Sequence, residues 1–183
     1  MNIWHDLDKK RVTKDEFISY IEISKHSKNK YELDKETGLI ILDRVLSTSM
    51  IYPENYGFIP LTLAEDNDPL DVLVLCQESI YPASLVKSTP IGVLKMVDSG
   101  EGDSKIIAVA SQDSQMNFFK DIKELPSHML DEIANFFENY KALEGKYTEV
   151  LGYESKEVAQ EIILDCMKRY DEVYGNKKKK CTK

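Results

Sequence analysis

From residue 17 to residue 110 the apolar positions recur at alternate residues or in short unbroken runs, the spacing of β-strands. Phe17-Ile18-Ser19-Tyr20-Ile21-Glu22-Ile23 mixes apolar and polar positions and is rich in isoleucine, so a strand is predicted there. Tyr31 to Leu33 and Leu39 to Leu42 flank Asp34-Lys35-Glu36-Thr37-Gly38, a hairpin turn whose glycine accepts positive φ. Asp71 to Leu75 is apolar after its first residue, as a buried strand is. Ser84 to Lys87, Ile91 to Val97 and Lys105 to Ala110 supply further strands, and Asp98-Ser99-Gly100-Glu101-Gly102-Asp103 turns between the last two. Ser47 to Pro60, with two tyrosines around Pro53 and Gly57, reads as an ordered loop packed on the core.

The period then changes. From Leu130 the apolar residues Ile133, Ala134, Phe137, Tyr140 and Leu143 form the stripe of an amphipathic helix, with Ser127 as a cap and Gly145 as a stop. A second helix starts near Ser155 and carries Val158, Ala159, Ile162, Ile163, Cys166, Met167 and Tyr170 on its apolar side. Many short strands suggest a barrel or a sandwich, and strands followed by helices predict an α+β, mainly β fold, a β-barrel with helices laid against it.

Composition narrows the class. The 183 residues suit one domain, placed at 1–175, and 42% hydrophobic content is enough for a core. Residues 176–183 hold five lysines and no acid, the composition of a disordered, solvated tail. Five of the 24 Lys+Arg lie in that tail, leaving 19 against 32 acids in residues 1–175, a balance of −13. This acidity argues against a nucleic-acid binder, which needs clustered cations. Cys76, Cys166 and Cys181 form no CxxC pair or disulfide framework. The polar Met1–Asp6 start lacks a signal-peptide stretch, and no apolar run approaches the ~18 residues that span a bilayer. A cytoplasmic protein that does not enter the membrane is expected.

Candidate chemistry is concentrated in four places. Glu65-Asp66-Asn67-Asp68-Pro69-Leu70-Asp71 sets three aspartates within six residues, which repel one another unless cations intervene. Hard divalent ions take such oxygen ligands, although Asp, Asn and Pro also suit an acidic surface turn. Asp98, Glu101 and Asp103, followed by Lys105, form a second acidic group that is equally good hairpin chemistry; beside the first it would complete an oxygen-rich bowl. Lys30 and Glu32 share one side of a strand, and Arg44 follows Asp43 on the next; alone they fit a cross-strand salt bridge, together with an anion they would clamp it. Tyr140 and Lys141 are adjacent, so on a helix they diverge by ~100° and meet one site only at the edge of the packed face.

Taken in order, these segments resemble the soluble family I inorganic pyrophosphatases, most closely the short bacterial type. Asp66-Asn67-Asp68-Pro69-Leu70-Asp71-Val72 resembles the family signature D-[SGDN]-D-P-[LIVM]-D-[LIVM]. Lys30-Tyr31-Glu32, Asp43-Arg44, Tyr52-Pro53 with Asn55-Tyr56-Gly57, Gly92-Val93-Leu94-Lys95-Met96 and Tyr140-Lys141 support it. The resemblance implies a small closed OB-like β-barrel with helices packed outside, whose mouth hydrolyses pyrophosphate to two phosphates with three to four Mg²⁺ ions, Mn²⁺ or Zn²⁺ being substitutes. By the same resemblance Asp66, Asp71 and Asp103 would hold the first metal. Asp71 would also touch the second, Asp98 and Asp103 the third, and Glu32 a fourth arriving with substrate. Asp68 would be the general base; Lys30, Arg44, Tyr56, Lys105, Tyr140 and Lys141 would bind phosphate, with Glu22 and Tyr52 in support. The resemblance further implies a homo-oligomer, most often a hexamer.

Charge agrees with that implication. Glu22, Glu32, Asp66, Asp68, Asp71, Asp98 and Asp103 against Lys30, Arg44, Lys105 and Lys141 leave a formal −3, and pyrophosphate adds about −3 to −4. Such a site binds its substrate only with divalent ions present. Ser99, Ser24, Tyr147 and Tyr153 depart from common family residues, and the loop to Lys30 is one residue shorter than in typical bacterial relatives. The alternatives are a metal-dependent hydrolase of nucleotides or polyphosphate, and a non-catalytic Ca²⁺- or anion-binding module.

Overall fold

The computed structural model describes residues 2–175, so the lysine-rich tail and Cys181 lie outside the described residues. Nine strands occur among them: β1 Phe17–Ile23, β2 Asn29–Leu33, β3 Ile40–Val45, β4 Asn55–Ile59, β5 Leu70–Leu75, β6 Leu85–Asp98, β7 Glu101–Gly102, β8 Lys105–Ala110 and β9 Thr148–Glu154. The helices are α1 Ile3–Asp6, α2 Ser127–Asn139 and α3 Lys156–Tyr174, with three short 3₁₀ turns between elements.

Strands pair in the order β1-β4-β5-β8-β6, and β6 returns to β1, closing a five-stranded ring. Closure removes the exposed edges that an open sheet would offer. The ring closes because β6 is 14 residues long. Its first part pairs with β1 (Phe17↔Ser88 to Tyr20↔Leu85), its middle with β8, and its last part with β9 and β7. Only β5 and β8 run parallel within this sheet. The architecture is therefore the expected α+β one, an OB-like barrel with helices packed outside.

Alternate residues of β5 and β8 enter different cores. Val72, Val74, Ile106 and Ala108 pack with Ala159, Ile163, Cys166 and Tyr170 of α3. Leu73, Leu75, Ile107 and Val109 pack with Ile133, Phe136 and Phe137 of α2. Burial on both sides explains why these strands read as continuous apolar runs rather than alternating ones. The hairpin β2–β3 is a separate sheet lying against β1, tied to it where Leu33 N–H donates to Glu22 Oε1 at 2.7 Å.

Four local expectations change. Ser84–Lys87 and Ile91–Val97 merge into one strand, β6, with Pro90 at a register shift against β8, a place where a strand tolerates proline. The Ser47–Pro60 loop contains a central strand, β4: a Cβ on Gly57 would lie 1.9 Å from the Tyr20 carbonyl oxygen, so this glycine permits close strand approach. Residues 148–154, unassigned by periodicity, form β9. Finally, Ser127 opens α2 without capping it, Pro126 being the N-cap, and α2 stops at Asn139; Gly145, at φ +67, ends the 3₁₀ turn that follows.

Candidate active site

The parity of β5 and β8 positions the first charged groups. Asp71 lies on the same side of β5 as Leu73 and Leu75, and Lys105 on the same side of β8 as Ile107 and Val109. The α2-side core layer thus ends in an acid on one strand and an ammonium on its parallel neighbour. Lys105 Nζ donates to Asp71 Oδ2 at 2.6 Å and to Asp103 Oδ1 at 2.6 Å, and its side chain is only 3% exposed. Its ammonium also lies 5.6 Å from the ring centres of Tyr56 and Phe137.

The loop before β5 is both a tight turn and an array of acids. Asp68 N–H donates to Asp66 Oδ1 at 3.0 Å, Ala64 N–H donates to the Asp68 carbonyl at 2.7 Å, and Asn67 takes φ +66, a value asparagine tolerates. This local hydrogen bonding turns Asp66, Asp68 and Asp71 into one cavity of about 260 Å³. Asp98 and Asp103, from opposite sides of the β6–β7 turn, line the same cavity, as do Glu22 from β1, Lys30 and Glu32 from β2, and Tyr56 from β4. Tyr140 and Lys141 both line it from the end of α2, where Tyr140 is the C-cap.

Arg44 and Tyr52 do not line the cavity. Arg44 stands opposite Lys30 in the hairpin register, and its guanidinium is bonded to Asp43 and, through Nε at 2.9 Å, to Glu144. Tyr52 is buried behind the wall, 5.4 Å from the Tyr56 ring and 4.7 Å from Phe136. Three further wall or flank residues escaped sequence reasoning: Trp4, Lys35 and Glu144. Lys35 sits in a segment read as turn chemistry, and nothing in local spacing tells which way a turn lysine faces.

Most of the cavity carboxylates meet a cation, whereas Glu22 and Asp66 accept backbone N–H groups, from Leu33 and Asp68. Besides Lys105 with Asp71 and Asp103, Lys141 pairs with Asp98, Lys35 with Asp68, and Lys30 with Glu32 and, at 3.4 Å, Asp43. Among the described residues no three His, Cys, Asp or Glu side chains converge into a preformed metal cage. Lys30 and Asp43 form a cross-strand pair of the hairpin, and of the two only Lys30 lines the cavity.

Burial and charge set the protonation states. Glu22 is pushed up to about 8, first by burial and then by the Asp71 charge, against the pull of the Leu33 N–H. Asp66 and Asp103 are raised chiefly by burial; Lys105 opposes this for Asp103 while Asp71 reinforces it. Burial also works to raise Asp98, but Lys141 and the Ser99 hydroxyl outweigh it and hold this carboxyl below its ordinary value. Lys105 is held above its ordinary value: burial disfavours the ammonium, and the two aspartates overcome that.

The family profile for inorganic pyrophosphatase matches residues 19–171. The chain is 47% identical over 175 residues to soluble inorganic pyrophosphatase 2 of Chlamydomonas reinhardtii, covering 96% of this chain and 91% of that one. Soluble inorganic pyrophosphatase 1 of Arabidopsis thaliana is 49% identical over 169 residues, covering 92% and 80%. The solved Thermus thermophilus inorganic pyrophosphatase superposes with a TM-score of 0.88 at 40% identity, covering 93% of this chain and 99% of that one. Barrel, acid–lysine cavity and relatives together define an enzyme of the inorganic diphosphatase class. The chain belongs to the soluble family I inorganic pyrophosphatases.

Proposed function

We propose that this protein hydrolyses inorganic pyrophosphate to two orthophosphates in a Mg²⁺-dependent reaction at the 260 Å³ cavity. One observation supports the reading: five aspartates meet four lysines and three tyrosines there. The candidate metal donors are all carboxylate oxygens, the chemistry that Mg²⁺ prefers over His or Cys sets. Asp66, Asp71 and Asp103 hold the first ion, Asp71 the second, Asp98 and Asp103 the third, and Glu32 a fourth with substrate, Mn²⁺ or Zn²⁺ being substitutes. When bound, such ions neutralise the anion and acidify a coordinated water.

The remaining work falls to the chain's own groups. Asp68 accepts the proton of the attacking water as the new O–P bond forms and the bridging P–O bond breaks. Lys30, Lys105 and Lys141 place ammonium groups on phosphoryl oxygens, and the Tyr56 and Tyr140 hydroxyls orient them. Arg44 Nη2 is buried with no hydrogen-bond partner among the described residues, a donor that an anion would satisfy. Glu22 and Tyr52 support the wall. Phosphate release is measured from pyrophosphate, ATP and tripolyphosphate with Mg²⁺, and pyrophosphate is the expected substrate. No release above background with Mg²⁺ or Mn²⁺ overturns the reading.

We read residues 1–175 as one domain of a cytoplasmic homo-oligomer, a hexamer by family resemblance. The exposed Leu39, Ile41 and Val45 on the β2–β3 hairpin support association. Light scattering at the mass of a monomer would exclude it.

A further inference from the structure

The first residues lie outside the span matched by the family profile, yet they form part of the cavity wall. Trp4 is 3% exposed; its indole N–H donates to the Thr62 carbonyl at 2.9 Å, and its own carbonyl accepts from Leu61 N–H at 3.0 Å. Leu61 holds φ +60, a conformation that a bulky residue adopts only under constraint. The Thr62 hydroxyl in turn accepts from Leu70 N–H at 2.9 Å, one residue before Asp71. Trp4 is thus fastened to the segment that carries the acid loop. On its other side Asn2 Nδ2 donates to the Lys35 carbonyl at 3.0 Å, and Lys35 Nζ lies 5.7 Å from the Trp4 ring centre. The Lys35 ammonium ends on Asp68, inside the cavity.

Lys30, Lys105, Lys141 and Lys35 share one arrangement: each lines the cavity and each is paired with an acid there. The first three are phosphate ligands in the pyrophosphate reading; Lys35 has no role in it. Divalent ions compete for the carboxylate partners of Lys30, Lys105 and Lys141; Asp68 takes no ion in that reading, and the more highly charged anion itself draws the Lys35 ammonium away from it. We propose that Lys35 is a further substrate-binding residue, which passes from Asp68 to a phosphoryl oxygen of pyrophosphate, and that Asn2 and Trp4 position it. The indole face attracts the ammonium and walls the lysine stem, so less side-chain freedom is lost when the anion binds. This role rests on the pyrophosphate reading of the cavity.

Trp4 is the chain's one tryptophan, so its emission reports on this contact directly. Wild type, Lys35→Met and Lys35→Arg are titrated with imidodiphosphate, a pyrophosphate analogue, in Mg²⁺ by calorimetry and by Trp4 fluorescence. KM and kcat for pyrophosphate are measured alongside. Lys35 is exposed, so both variants should fold, which far-UV circular dichroism checks. Expected are a saturable emission change in wild type, and a Kd and KM raised about tenfold or more in Lys35→Met, as for a lost charge-assisted hydrogen bond. Lys35→Arg should recover most of that loss. Unchanged Kd and KM in Lys35→Met overturn the assignment, as does a fall confined to kcat, which would leave Lys35 acting on Asp68 alone. Silent Trp4 emission at saturation overturns the positioning contact. Absence of phosphate release by wild type rejects the pyrophosphatase reading instead, and the calorimetric comparison still decides whether Lys35 binds the anion.

Discussion

Asp68 and Glu54 show how differently two carboxylates are treated within one small fold. Asp68 is held in the cavity by its own turn and by Lys35, where a base is needed. Asp68→Asn keeps the size of the side chain and removes its basicity, so kcat should fall by about 10²–10⁴-fold with the fold intact. Stopped-flow phosphate release from the folded variant checks this, and a near-wild-type kcat would exclude Asp68 as the base. Glu54 is 4% exposed, and Lys25 Nζ donates to its Oε1 at 3.1 Å. Burial outweighs that ammonium and pushes Glu54 up to about 7 from an ordinary 4.5. The unfolded chain therefore releases this proton first, and stability falls as pH rises from 4.5 to about 7, then levels. Glu54→Gln cannot titrate. The stability of wild type relative to this variant should decline across that window by up to about 3 kcal/mol, measured by urea melts at several pH values. A pH-independent difference would show that Glu54 stays ionised in the fold.

At the scale of elements, β4 and β6 decide whether the ring closes. Gly57 faces Ile21 in the β1–β4 register, and the 1.9 Å approach to Tyr20 O leaves no room for a methyl group. Gly57→Ala should cost about 2 kcal/mol or more through forced strand separation, read as a lower denaturation midpoint with an unchanged m-value. Wild-type stability in that variant would mean that β1 and β4 yield easily. These elements also separate what was legible from what was not. β1, β5, β8 and α3 announce themselves because each is buried along a regular face, and burial is what periodicity records. β4 resembles a loop in local sequence because Pro53 and Gly57 are turn residues, while Gly57 is used for a close approach to a strand more than 30 positions away. The two segments Ser84–Lys87 and Ile91–Val97 likewise join only through pairing with β8, where the register shifts between Pro90 and Gly92.

For the molecule as a whole, the excess of acid is divided between surface and cavity. Residues 1–175 carry the deficit of cations, and the five lysines beyond them partly offset it. Truncation after Gly175 should leave kcat and the melting temperature nearly unchanged, checked by phosphate release and calorimetry; a large rise in KM would make the lysine tail a substrate arm. The amino-acid sequence by itself determined the strand-then-helix order, the acid loop and the family, because hydrophobic periodicity and the Asp66–Asp71 spacing are local properties. Only the tertiary structure decided that Asp71 and Lys105 stand side by side, that Tyr140 and Lys141 converge where α2 ends, and that Trp4 and Lys35 join the wall while Arg44 and Tyr52 stand behind it. Those relations come from strand register, ring closure and the end of a helix. Each depends on packing between segments distant in the chain, which no short window of residues encodes.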